Sequence, residues 1–157
     1  MTRNDLLRRL RYAFDLSDTR VLALVRDGGF EAPDAALIGW LARDDDPAFV
    51  PVPDAALSAF LDGLVVSRRG PRDPAAPPRP KETGPLDNNT ILKKLRVALE
   101  WKEQDMLQAL HRAGMNVSAS ELGALFRKPG HKHYRACGDQ LLRHFVTGMT
   151  ERLRAAS

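Results

Sequence analysis

Displaced by 85 residues, the chain falls on itself: Asn4 to Leu64 aligns with Asn89 to Met149 without a gap, and twelve of the 61 positions are identical. Self-similarity at a fixed offset is the mark of one structural unit written twice, so any fold proposed for the first half must also suit the second. The identical pairs are Asn4/Asn89, Leu7/Leu92, Leu10/Leu95, Arg11/Arg96, Ala13/Ala98, Leu22/Leu107, Gly29/Gly114, Leu37/Leu122, Asp54/Asp139, Leu57/Leu142, Phe60/Phe145 and Gly63/Gly148. Between the copies lies GPRDPAAPPRPKETGPL, with six of the eleven prolines. Proline lacks the amide hydrogen that helices and central strands use, so this stretch reads as a linker. The chain thus divides into a first repeat (1–69), a Pro-rich linker (70–86) and a second repeat (87–157).

Each repeat reads as four helices. Leu6, Leu7, Leu10, Ala13 and Phe14, matched by Ile91, Leu92, Leu95, Ala98 and Leu99, have the i, i+3, i+4, i+7 spacing of a helix with one buried face. Asn4 and Asn89 stand where N-caps are expected. A second helix starts near Asp18 or Glu103 and stops near Gly29 or Gly114, a residue suited to a left-handed helix end. The third starts near Pro33 or Ser118, and Ser118-Ala-Ser-Glu121 has the form of a capping box. The fourth starts at Asp54 or Asp139, whose carboxylates are expected to cap it. Sustained β-branched alternation is absent, so the predicted class is all-α.

DNNTILKKLRVALEW and HKHYRACGDQLLRHFVTGM resemble the YehS-like family, bacterial proteins with two tandem copies of a domain of unknown function. The resemblance spans nearly the whole chain outside the linker. It implies an all-helical bacterial protein and supplies no activity, substrate or catalytic residue.

Charge separates the copies that pattern unites. Residues 1–70 hold 9 Lys+Arg against 11 Asp+Glu, whereas residues 87–157 hold 12 against 7 and all four histidines. An anionic partner is therefore expected on the second copy. The contrast is sharpest at RKPGHKHYR, residues 127–135, which aligns with ARDDDPAFV, residues 42–50.

Three readings of that segment compete with plain solvation. His131, His133, Cys137 and Asp139 offer zinc-compatible donors, but their spacing matches no familiar zinc signature and no metal or other cofactor is expected. Arg127, Lys128, Lys132, His133 and Arg135 around a Pro-Gly turn suit a nucleic acid or another polyanion. Asp44, Asp45 and Asp46 could instead face these cations, within one chain or head to tail between two.

Other constellations read as structural. The second and third helices of copy two have a helix-turn-helix outline, yet the start of the third offers Ser118, Ser120 and Glu121 and no cation. Arg11 and Arg96 are expected to pair with Asp15 and Glu100 or with a fourth-helix carboxylate. Trp40 and Trp101 fall on apolar stripes, Trp101 near a helix end. Glycine-rich phosphate loops, nucleophile elbows and HExxH are missing, and Cys137 with a nearby histidine is a weak catalytic pair, so the chain is read as non-enzymatic. A lone cysteine, a charged amphipathic start and no run of about 18 apolar residues lead to the expectation of a cytoplasmic protein without membrane contact. The function expected is nucleic-acid or polyanion binding through the second repeat; the alternative is a protein-protein adaptor using grooves between the repeats.

Overall fold

The computed structural model describes residues 1–71, 73–75 and 85–156, so most of the predicted linker lies outside the described residues. The described residues form helices and connecting loops, with no strand among them. In chain order the helices are α1 (Arg3–Ala13), α2 (Asp18–Asp27), α3 (Ala36–Leu41), α4 (Asp54–Arg69), α5 (Asn88–Leu99), α6 (Glu103–Arg112), α7 (Ala119–Leu125) and α8 (Asp139–Ala155). The first, second and fourth helices of each copy begin 85 positions apart. None of the described helices is long and apolar enough to cross a membrane.

Local chemistry accounts for most boundaries. Gly29 and Gly114, at φ 100° and 87°, take the left-handed turn after α2 and α6. Ser118 accepts from Glu121 N and Glu121 accepts from Ser118 N, closing the predicted capping box of α7. Copy one has no such box, and α3 starts at Ala36, three residues beyond Pro33.

Two cap assignments need correction. Asn4 and Asn89 lie inside their helices, whose caps are Thr2 and Asp87, accepting from Asp5 N and Thr90 N. Asp54 and Asp139 are the first helical residues after Pro53 and Gly138, and their carboxylates turn instead toward the opening of their copy's first helix. Asp54 accepts from Arg3 Nε at 3.0 Å and from Leu86 N at 2.9 Å, while Asp139 accepts from Asn88 Nδ2 at 2.7 Å. Arg3 and Asn88 are themselves repeat equivalents. The Leu86 amide holds the Asp54 carboxyl below its ordinary range, and the Asn88 amide does the same for Asp139.

Within each copy the second helix packs on the fourth, and a glycine sets how closely. A Cβ on Gly63 would lie 2.1 Å from the Leu24 carbonyl oxygen, and one on Gly148 would lie 1.7 Å from that of Ala109. Leu24 and Ala109 are again equivalents, so α2 on α4 and α6 on α8 meet backbone to backbone at the same point of the repeat.

The copies meet through α4 on α5 and α1 on α8. These contacts are one interface used twice, the fourth helix of either copy lying on the first helix of the other. Arg69 pairs with Glu100 at 3.4 Å and Arg154 with Asp15 at 3.9 Å, the same ion pair 85 positions on. Asp15 and Glu100 both have positive φ, 52° and 56°, so each helix end that turns left-handed at a non-glycine residue is met by an arginine from the other copy. Across the α4–α5 contact, Lys94 donates to Asp62 at 2.6 Å with only 14% of its side chain exposed. Leu6, Leu10, Leu57 and Phe60 of copy one join Ile91, Leu95, Leu142 and Phe145 of copy two in one continuous apolar core. Leu86, at the end of the predicted linker, is buried in it as well.

Candidate functional site

The basic segment is a built loop. After α7 ends, His131 N donates to Lys128 O, Gly130 takes φ 92°, Tyr134 N donates to His131 O, and Arg135 N returns to Ala124 O at 3.1 Å. His131 Nδ1 accepts from His133 N at 3.0 Å. Beneath the loop, Asn89 donates to the carbonyls of Leu125 and Arg135, both at 2.9 Å, and accepts from Cys137 N at 2.8 Å. The carboxamide therefore clamps both ends of the loop by backbone alone.

Copy one repeats this bond for bond. Asn4 donates to the carbonyls of Trp40 and Val50 at 3.1 and 2.8 Å and accepts from Val52 N at 3.0 Å. Asp46 N donates to Arg43 O, Phe49 N to Asp46 O and Val50 N to Gly39 O. Even the side-chain bond is preserved: Asp46 Oδ1 accepts from Ala48 N where His131 Nδ1 accepts from His133 N. One loop architecture thus carries Arg43, Asp44, Asp45 and Asp46 in the first copy and Arg127, Lys128, Lys132 and Arg135 in the second.

All four of those second-copy cations, with His133, are exposed. Arg135 pairs with Glu121 at 3.9 Å, but both side chains are more than half exposed, so solvent screens the pair. Tyr134 and Phe49, at equivalent positions, are both half-buried.

Arg96 braces the start of the loop. Its guanidinium lies 4.7 Å from the Phe126 ring centroid and Nε donates to Trp101 O at 3.2 Å, so it does not use Glu100 as expected. Arg11 also departs from expectation, pairing with Asp18 at 2.8 Å and not with Asp15. The two identical arginines diverge because Leu41 stands in copy one where Phe126 stands in copy two, leaving no ring to cover.

Cys137 is buried, and burial, with Asp139 and Asp87 adding to it, pushes its thiol up to about 11, far from a thiolate nucleophile. His131 Nδ1 is already engaged, and no group of three or more His, Cys, Asp or Glu among the described residues gathers as metal ligands would. The exposed start of α7 displays Glu121 in its capping box, a poor base reader. Trp40 is buried against Phe30, and half-buried Trp101 packs on Phe145 under the Arg152 guanidinium. Arg152 Nη2 donates to Asp105 at 2.8 Å, while Nη1 is buried without an acceptor among the described residues, in a guanidinium that lies on the Trp101 face. Among the described residues, Asp44, Asp45 and Asp46 make no ion pair with the basic loop of their own chain; the ion pairs between the copies are elsewhere.

Sequence reasoning overlooked Arg3, Asn88, Leu86 and the Arg69 and Arg154 pairs. Leu86 apart, their common signal is the 85-residue offset, which places Arg3 with Asn88 and Arg69 with Arg154.

A family described as a protein of unknown function, DUF1456, matches twice, at residues 3–70 and 88–155. The chain belongs to this family. It is 38% identical over 152 residues to the uncharacterized protein YehS of Escherichia coli strain K12, covering 97% of this chain and 96% of that one. No solved structure matches. The two family matches bracket the two four-helix copies, so the duplication belongs to the family pattern.

Proposed function

We propose that this chain is a non-enzymatic, cytoplasmic binding module that holds a nucleic acid or another polyanion on the loop of its second copy, through Arg127, Lys128, Lys132, His133 and Arg135. The observation that carries the reading is the internal control: the same set of backbone hydrogen bonds holds a loop of exposed cations in one copy and of aspartates in the other, the turn differing at Gly130, whose equivalent Asp45 does not take positive φ. Since the Asn89 clamp takes only backbone from this loop, the exposed charges of Arg127, Lys128 and Lys132 are free to serve a partner. Four phosphate contacts on duplex DNA correspond to a salt slope near −3.6, or roughly a 150-fold loss of affinity between 50 and 200 mM salt.

Fluorescence anisotropy with mixed duplex DNA and RNA pools tests this. Lys128→Glu with Lys132→Glu should abolish most of the binding. No measurable affinity at low salt in the unaltered protein ends the reading.

A protein adaptor is the second reading, supported by a cleft of about 350 Å³ between α1 and α8 where Tyr12 is 56% exposed beside Arg8, Val146 and Thr150. A partner recovered from bacterial lysate that survives nuclease treatment and is lost with Tyr12→Asp favours it over the first.

A further inference from the structure

The first copy carries a groove whose character its twin does not repeat. Between α2, α3 and the acidic loop, Leu22, Leu37, Ile38 and Leu41 form a trough of about 400 Å³ rimmed by Asp18 and Asp46. Ile38 is 69% exposed, the most exposed of the large apolar side chains among the described residues. In copy two the corresponding positions hold Gly123 for Ile38, Arg127 for Ala42 and His131 for Asp46, so the exposed isoleucine and the acidic loop edge are both replaced. On the rim, Asp18 is engaged by Arg11, Asp34 by Arg26 and Asp46 by the Ala48 amide; in the loop just before Asp46, exposed Asp44 and Asp45 make no ion pair among the described residues.

An exposed isoleucine in a trough bordered by negative charge calls for an occupant that is compact and cationic. The chain itself contains one: the clamped Pro129-Gly130 turn with Arg127, Lys128, Lys132 and Arg135 around it. Among the described residues, no ion pair links that loop to the groove within one chain.

We propose that the groove of one molecule receives the basic loop of a second copy, head to tail. Each molecule then offers one groove and one loop. The contact is heterologous, and head to tail without closure it leaves a free groove at one end and a free loop at the other, so assembly propagates past a dimer, where a closed reciprocal pair would stop at two. Exposed charge pairs set direction and rate more than strength, which leaves Ile38 as the anchor and makes the association weak and salt-sensitive. The loop cannot hold a polyanion and a groove at once, but the docking stands independently of the polyanion reading.

Sedimentation velocity over rising concentration tests it with the full chain. The weight-average mass should climb past twice the 17.4 kDa of one chain at low salt and fall back in 1 M salt. Asp44→Lys with Asp45→Lys, and separately Lys128→Glu with Lys132→Glu, should each remain monomeric at concentrations about tenfold above the wild-type onset. Mixing the two variants should restore association, because each then supplies the complement the other has lost. Ile38→Ser should weaken assembly at every salt concentration. A wild-type mass that stays at one chain, that plateaus at two, or a mixture that fails to associate, overturns the proposal.

Discussion

Asn4 and Asn89 hold the same three backbone groups 85 positions apart: two carbonyls bracketing the loop before the fourth helix, and one amide just beyond it. Asn4 is only 2% exposed, and Asn89 is half-buried, so losing the side chain strands more desolvated groups in copy one. Unsatisfied buried groups cost about 1 to 3 kcal/mol each, so Asn4→Ala should cost about 3 kcal/mol or more in urea unfolding, and Asn89→Ala less. Asn89→Ala should also weaken polyanion binding with every cation still present, because the loop is no longer pinned.

The glycines of the fourth helices respond differently. At Gly63 and Gly148 an added methyl group meets a backbone carbonyl that cannot turn aside, so α2 must part from α4, or α6 from α8. Alanine at either position should destabilise by about 1 to 3 kcal/mol or more, read as a lowered thermal midpoint. Gly123, inside α7 with open space around it, supplies the control: Gly123→Ala should be neutral or stabilising by up to about 1 kcal/mol.

Each copy contains one tryptophan, Trp40 in the first and Trp101 in the second. Because α4 lies on α5 and α1 on α8 within one core, the copies should unfold together. Fluorescence of Trp101→Phe reports copy one and that of Trp40→Phe reports copy two. Each variant's tryptophan transition should coincide with its own loss of helical circular dichroism, and a separated pair of transitions in either variant would mean two independent units.

What was legible in the sequence was local or periodic. The stripe in α1 and α5, the left-handed turns at Gly29 and Gly114 and the Ser118–Glu121 box each depend on neighbours a few residues away, and each is where it was expected. Asn4 and Asn89 were misassigned because a carboxamide near a helix start looks the same whether it caps its own helix or reaches a loop 36 to 48 residues onward. Arg11 and Arg96 misled in another way, since an identical residue finds different partners once a leucine replaces a phenylalanine nearby. Gly63 and Gly148 stood out as a matched pair, but only the crossing of two helices shows what they permit. The basic loop was readable as charge, and its rigid backbone became visible only through the clamp.

The electrostatic account is tested most directly by transplanting one loop onto the other copy. Replacing residues 127–135 with ARDDDPAFV takes the segment from four Lys or Arg and no acid to one Arg and three Asp, while the Asn89 bonds to backbone at Leu125, residue 135 and Cys137 remain available. The account predicts an unchanged helical spectrum and a loss of duplex DNA affinity of about a hundredfold or more in about 50 mM salt. A folded graft that binds as tightly as the original chain would contradict it.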